Sequence, residues 1–415
     1  MKKVFSLVFA ILFCLLPFLS ACSQNGPSAD GPKTTAEPSS TNASSGTTAA
    51  AVTEPAETAP QFLPDELPPD LKFDGETCTI FCWESWDPSE FFVEEDSGDI
   101  VDAAVYARNL AVEERLGIKL AWDKQPRQES AYGSALKDAL AQQNAAADNT
   151  YDAVACYGMR VASCAIGGQL INLRDTQYID FDKPWYYASA TQAGTLHKGY
   201  TFFCAGDISY NALARMSGVF FNSDMIRDNN MEDPYEIVLS GKWTIDRMHD
   251  MIRDMYADLD GDGKRSDEDR YGIMIAGDQA QTLYYGTGSH FIEHDADDNP
   301  IISDDLYSER TITIIDKYVA LLGENAAYKN PTGDEPKNFD EGRVLFYVYP
   351  LGHVSDPTLR EAEINYGFIP QPKVEESDKE YHASVTNAIT LFAIPLVVSS
   401  HDKSSALIEC LSSEG

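Results

Sequence analysis

Twelve residues near the middle of the chain, Asp258 to Asp269, carry the sharpest chemical pattern in the sequence. Asp258, Asp260 and Asp262 put carboxylates at positions one, three and five of a loop, and Gly263 at six permits its sharp turn. Lys264 can offer its carbonyl oxygen at seven, and Ser266 can hold a water at nine. Asp269 stands at twelve, where a bidentate Glu is usual, so fewer oxygens or weaker binding are expected. Hard oxygen donors at this spacing are the chemistry of Ca2+. The stretch before the loop has helical spacing, whereas Tyr271-Gly-Ile-Met-Ile275 reads as a strand. Helix–loop–strand predicts a structural clip, not a sensor that opens a groove. The bland alternative is an acidic Asp-Gly turn. Asp295 to Asn299 is acidic too, but lacks the spacing and reads as a hairpin turn.

A second pattern opens the chain. Lys2 and Lys3 precede an apolar run, Val4 to Leu19, which ends in Leu19-Ser-Ala-Cys22. The run is too short and wrongly flanked for a stable span. The four residues resemble the bacterial lipobox, in which Cys22 would be diacylated on sulfur and become the new N-terminus. Residues 1–21 are therefore read as a lipoprotein signal peptide. Residues 22–73 are read as the lipidated Cys, carrying palmitate-type chains, and a Ser/Thr/Ala/Pro-rich tether too polar to bury a core.

The chain has 415 residues, with 31 Lys+Arg against 66 Asp+Glu, a formal charge of −35. That charge repels phosphate backbones and anionic lipid heads, which disfavours nucleic acid and acidic membranes as partners. Hydrophobic residues make up 43 %, enough for a large core. Eight Cys occur; Cys14 leaves with the signal and Cys22 carries lipid. Cys78, Cys82, Cys156, Cys164, Cys204 and Cys410 show no zinc-type CxxC spacing, and are read as small buried hydrophobes in preference to bridges.

The elements needed to position these groups follow from periodicity. Thr77 to Trp83 is a strand, and Val101, Val105, Val112 and Leu116 mark a helix that Gly117 ends. Strand Ile118 to Trp122, helix Ser134 to Leu140 and strand Tyr151 to Cys156 complete a parallel α/β layer. Strands at Tyr200 to Cys204 and Gly218 to Asn222 come next. Thr244 caps a helix whose apolar face is Ile245, Met248, Ile252 and Met255. Strand Tyr271 to Ala276, helix Ser308 to Leu322, strand Arg343 to Tyr349 and a terminal helix follow.

The order of landmarks resembles one family, the bacterial extracellular solute-binding proteins of the sugar type. These are lipid-anchored receptors of ABC importers. The matching stretches are Thr79 to Trp83, Glu113-Glu-Arg-Leu-Gly-Ile118, Tyr151-Asp-Ala-Val154, Leu170-Ile-Asn-Leu173, Phe221-Asn-Ser-Asp224 and Lys242-Trp-Thr244. Phe339-Asp-Glu-Gly-Arg343, Tyr366-Gly-Phe-Ile-Pro-Gln-Pro372 and Ala393-Ile-Pro395 extend the match. The resemblance implies an α/β, two-lobe, periplasmic-binding-protein-like fold with a ligand cleft between the lobes. Lobe 1 would take residues 74–207 and 380–415, and lobe 2 residues 208–379. Members usually continue past the equivalent of Gly415, so the chain reads as truncated at its C-terminus. The implied partners are a carbohydrate, ABC permease subunits and, through the lipid, the outer face of the cell membrane, with the body a monomer. Ligand captured in the cleft would favour closed lobes, which then dock on the permease.

Sugars need aromatic rings to stack on and carboxylates at the edges. Open α/β sheets place ligands at strand C-termini. The residues of those types at strand ends and the crossing are Trp83, Glu84, Trp86, Tyr157, Asp207, Tyr210, Tyr284, Tyr285, Tyr347 and Tyr349. For any one of them, core packing is an equal alternative. Trp122, Trp243, Phe220 and Phe221 are read as core. No Gly-x-Ser-x-Gly or zinc-protease motif occurs, and no catalytic residue is assigned. The chain is read as a non-enzyme. The competing readings are a secreted carbohydrate-active hydrolase and a surface glycan-binding lipoprotein without a transporter.

Overall fold

A computed structural model describes residues 63–415, apart from 88, 96–97, 276–278 and 330–334. The signal segment, Cys22 and most of the tether lie outside the described residues. The last part of that tether does not behave as one. Arg115 Nη2 pairs with Asp65 at 2.9 Å, Leu67 is buried, and Lys72 Nζ donates to the carbonyls of Glu114 and Arg115, each at 2.8 Å. The folded body therefore begins before Asp74. Leu63, Leu67 and Leu71 recur every four residues and precede Phe73, an apolar series the compositional reading passed over.

Strand β1 (Thr77–Trp83) pairs in parallel with both β2 (Lys119–Gln125) and β3 (Ala153–Tyr157). Helix Ile100–Leu116 makes the first crossover; Asp99 caps it by accepting from Val101 N and Asp102 N. Gly117 ends it with φ at 61°, a left-handed conformation that costs glycine least. A small hairpin, β4 (Thr195–Leu196) and β5 (Tyr200–Thr201), follows in place of one longer strand to Cys204.

The chain then crosses to a second sheet. β6 (Met216–Asn222) is followed by helix Ile245–Ile252, capped by Thr244 Oγ1 accepting from Arg247 N at 3.2 Å. β7 (Tyr271–Ile275) leads to hairpin β8 (Ile292–His294) and β9 (Pro300–Ile302), with Asp295 to Asn299 at its turn. Helix Glu309–Leu322, β10 (Ala327–Tyr328), β11 (Val344–Pro350), β12 (Tyr366–Ile369) and β13 (Ser384–Val385) complete the lobe. The order is β10-β7-β11-β6-β12, with β13 also on β6. Lobe 2 thus runs to Val385, past the expected boundary at 379, because two ladder residues of β13 still belong to its sheet.

β14 (Thr390–Ala393) returns to lobe 1 and pairs antiparallel with β3, giving the order β14-β3-β1-β2. Residues 209–215 and 386–389 are the two crossings. Helix His401–Ser413 follows β14 and is buried from Lys403 to Ser413, on all its faces. It packs against helix Ile100–Leu116, and Lys403 Nζ reaches Glu76 at 2.7 Å and Asp152 at 3.2 Å. Each lobe has its own apolar core; that of lobe 1 includes the six described Cys, all free and buried. No helix among the described residues is long and apolar enough to cross a membrane.

Candidate functional site

A cavity of about 680 Å3 opens where the two lobes face each other. Lobe 1 supplies Ser89 and the first turn of helix Ile100–Leu116, lobe 2 supplies Leu351 to Ser355 and Arg360, and the first crossing supplies Tyr210. Its lining mixes apolar side chains such as Val101 and Leu351 with charges such as Asp102 and Arg360. That combination suits a ligand with apolar faces and polar edges. The parallel strands deliver both walls: β11 ends at Pro350 and turns directly into Leu351 to Ser355.

The structure sorts the ten predicted residues into groups. Asp207 and Tyr210 line the cavity. Burial raises the Asp207 carboxyl, and the Tyr187 hydroxyl holds it back. Trp83, Trp86 and Tyr157 form one aromatic cluster at the C-terminal ends of β1 and β3, with Trp83 and Trp86 edge-to-face at 5.2 Å. Trp86 is the exposed member at 37 %, and the guanidinium groups of Arg127 and Arg215 lie over its ring at 5.1 and 5.8 Å. Glu84 is exposed; its Oε2 accepts from Arg127 N at 3.2 Å. Tyr285 and Tyr349 are half-buried, and burial raises the Tyr285 hydroxyl.

Four predicted ligand contacts are corrected. Tyr157 is buried, with the rings of Trp83, Trp86 and Tyr132 around it. Trp83 is fully buried, and its Nε1 donates to Thr390 Oγ1 at 2.9 Å, so its ring is part of the lobe 1 core. Tyr284 is buried, stacked on Phe291 at 4.5 Å and hydrogen-bonded to Thr311 Oγ1 at 2.8 Å. Tyr347 is fully buried between Phe339 and Tyr349 in lobe 2. In each case both sides of the strand or helix are covered, so no ring face is left for a ligand. Trp122, expected in the core, is only partly buried and stacks on Phe91 at 5.6 Å.

Sequence reasoning missed two buried acid–base groups behind the cavity wall. His353 is fully buried between Asp340 Oδ1 at 2.9 Å and Asp356 Oδ2 at 2.8 Å. Burial alone would lower its pKa, but the hydrogen bonds to the two carboxylates outweigh it and raise it to about 9. Glu90 is fully buried too, and burial pushes it up to about 7. Neither has a repeating pattern that would mark it. The turn that Pro350-Leu-Gly352 must make was the available hint for His353.

The predicted calcium loop keeps three of its six residues together. Carboxylate oxygens of Asp258, Asp260 and Asp262 lie within 4.8 Å of one another, and all three residues are exposed. Asp258 Oδ1 accepts from Gly261 N at 2.7 Å and Oδ2 from Gly263 N at 2.9 Å, which lowers its pKa. Gly263 has φ at 73°, as the turn required. Lys264 donates its amide to Asp262 Oδ1 at 2.7 Å, and Ser266 Oγ accepts from Glu268 N at 3.2 Å. Asp269 is not in the cluster. It is fully buried, and accepts from Leu259 N and Ser266 N, each at 3.0 Å, drawing the ends of the loop together.

No family model matches the chain, and no curated protein matches it by sequence. Solved structures match by fold. A cyclo/maltodextrin-binding protein complexed with maltotetraose is 14 % identical, with a TM-score of 0.54 over 82 % of this chain and 76 % of that one. The GacH receptor of Streptomyces glaucescens, solved unliganded and with acarbose, is 14 % identical, with a TM-score of 0.50 over 81 % and 76 %. RafE from Streptococcus pneumoniae, in its apo form, is 14 % identical, with a TM-score of 0.50 over 81 % and 77 %. The chain is similar to these proteins in having a two-lobe α/β fold.

Proposed function

We propose that this chain is an extracellular solute-binding lipoprotein of an ABC importer. It captures a carbohydrate, which we propose is an oligosaccharide, and delivers it as a monomer to membrane permease subunits. The observation that carries the reading is the cavity walled by both lobes and by the crossing between them. A ligand there touches both lobes at once, so it favours the arrangement that makes both sets of contacts. Cys22 would hold the body at the outer face of the cell membrane. Tyr210 is the aromatic contact in the cavity and Asp207 the polar one, and Trp86, outside that lining, is a further proposed contact. No residue is given a catalytic role.

Ca2+ is the cofactor we propose for the Asp258 loop. Three converging carboxylates and a glycine at six support it, and the loop joins helix Ile245–Ile252 to β7. When bound, the ion would neutralise carboxylates that otherwise repel one another.

The test is a thermal-shift screen of the purified chain against a glycan panel, followed by product analysis of each hit. A hit with no turnover, weakened by Tyr210→Ala, supports the receptor. Hydrolysis of an oligosaccharide would establish the secreted hydrolase instead. Binding without any effect of a permease pair on uptake in cells would favour the surface glycan-binding lipoprotein.

A further inference from the structure

Glu90 sits in the loop after β1, directly behind the cavity wall, and has no exposed surface. Its Oε1 accepts from Ser209 Oγ of the first crossing at 2.7 Å. Its Oε2 is buried and makes no well-formed hydrogen bond, although the hydroxyls of Thr390 and Ser85 also face the carboxyl. The cation beside it, Arg108, is committed elsewhere. Nη1 donates to Ile208 O at 2.7 Å, Nη2 to Phe91 O at 2.8 Å and Nε to Asn109 Oδ1 at 3.1 Å. Asp87, on the same loop, has its partners: Arg215 Nη2 and Asn211 Nδ2, each at 2.7 Å. One loop thus brings two acids to the crossing, one ion-paired and one with a guanidinium nearby but no ion pair. The remaining titratable groups facing Glu90 are Tyr210 of the crossing, Cys82 of β1 and Cys156 of β3, none of which is cationic.

We propose that Glu90 is a positioning residue of the inter-lobe cavity: as the neutral acid it holds the loop after β1 against the first crossing, and its ionisation releases that wall. Ser89, Arg108 and Tyr210 all line the cavity and all adjoin Glu90 in sequence or space. A buried carboxylate outside any ion pair is costly, and the cost is relieved when water reaches it. Water reaches Glu90 when the loop parts from Ser209. Ionisation therefore favours a loosened crossing, and ligand affinity falls as pH rises through neutrality. Burial pushes the carboxyl up to about 7, although the hydroxyls of Thr390, Ser209 and Ser85 hold it down. The effect on ligand rests on the cavity being the ligand site; the coupling between Glu90 and the crossing does not.

The experiment uses the full chain without ligand, across pH 5.5 to 8.5. Infrared difference spectra of the wild type and Glu90→Gln report the carbonyl band of a protonated acid, and hydrogen exchange reports protection of residues 205–215. In the wild type the band should fade as protection drops by about tenfold or more around neutral pH, after correction for intrinsic exchange. Glu90→Gln should lack that band and keep its protection flat. Ser209→Ala removes a hydroxyl that stabilises the carboxylate, so it should move the wild-type midpoint to higher pH, a shift that a merely structural role would not produce. Identical protection profiles in the wild type and Glu90→Gln, or no acid band lost in Glu90→Gln, would overturn the proposal. Failure of every glycan to bind would leave these two readouts standing, so the two readings fail separately.

Discussion

Arg215 donates to the Asp87 carboxylate at 2.7 Å, joining the loop after β1 to the last residue of the first crossing. The pair is largely covered, with side-chain exposures of 15 % and 8 %. Asn211 extends it, donating to Asp87 at 2.7 Å and accepting from Thr390 N, at the start of β14, at 2.8 Å. The loop after β1, the first crossing and the start of β14 are therefore tied through one carboxylate. Removing it strands a covered guanidinium whose Nε already has no partner. Asp87→Ala should cost about 3 kcal/mol. Asp87→Leu with Arg215→Met should recover part of that, since it removes both charges. Urea unfolding of the single and double variants measures the difference.

Trp83 and Trp86 touch edge-to-face, yet they answer to different forces. Trp83 is fully buried and Trp86 is 37 % exposed. Trp83→Ala should open a cavity in the lobe 1 core and lower stability by about 3–5 kcal/mol. Trp86→Ala should cost about 1 kcal/mol or less, mainly lost cation–π contact with Arg127 and Arg215. In the proposed receptor the same change should weaken carbohydrate binding about tenfold, the equivalent of one aromatic contact. Thermal melts beside calorimetric titrations separate the two effects.

Much of the architecture was legible because periodicity encodes it. Val105, Val112 and Leu116 are buried on the first crossover helix, and Ile245, Met248 and Ile252 on the helix that Thr244 caps. Burial at strand ends was not legible, because β11 is covered on both faces and has no alternation to say which way Tyr347 points. Glu90 and His353 were invisible for a related reason. A single ionisable residue in a loop carries no spacing, and only the fold reveals that Ser209 or Asp340 lies against it. The Asp258 loop was readable because its chemistry is local, with every partner inside twelve residues. Asp269 still surprised: an oxygen counted as a ligand is engaged by the loop's own amides.

That loop gives the calcium prediction. Asp258 and Asp262 are exposed, and among described residues their cluster with Asp260 is the one group of three such side chains close enough to share an ion. Isothermal titration of the chelator-treated chain should show one weak Ca2+ site, since Asp269 stands in place of the bidentate Glu and is engaged by the loop's own amides. Saturating Ca2+ should raise the Tm, by linkage to the folded state. Asp262→Ala should abolish both the binding heat and the Tm rise, leaving the Ca2+-free Tm nearly unchanged. Asp269→Asn should instead lower the Tm with or without Ca2+, because its carboxylate organises the loop backbone. No binding heat in the wild type would remove Ca2+ from the account.

The buried acids and His353 together set how stability changes with pH. Burial raises Glu409 to about 7, with the Tyr186 hydroxyl holding it back from 2.7 Å. A carboxyl raised in the folded state contributes stability that is full below its unfolded pKa of 4.5 and is lost as pH rises through 7. His353, raised from 6.5 to about 9, contributes stability that is full below 6.5 and is lost as pH rises through 9. The formal charge of −35 at neutral pH adds self-repulsion in the same direction. Asp224 and Asp378 act oppositely: both are lowered, Asp224 chiefly by Asn365 and Asp378 by Arg310 against the cost of its burial. Their contribution is lost as pH falls below the ordinary aspartate value of 3.8. Stability should therefore peak near pH 5 and decline by a few kcal/mol toward pH 9. Glu409→Gln should flatten the decline between pH 5 and 7. His353→Gln should flatten it between 7 and 9 while lowering stability at pH 6, where the imidazolium holds Asp340 and Asp356. Chemical denaturation at single pH steps resolves the two segments, and a curve rising from pH 5 to 9 would contradict both assignments.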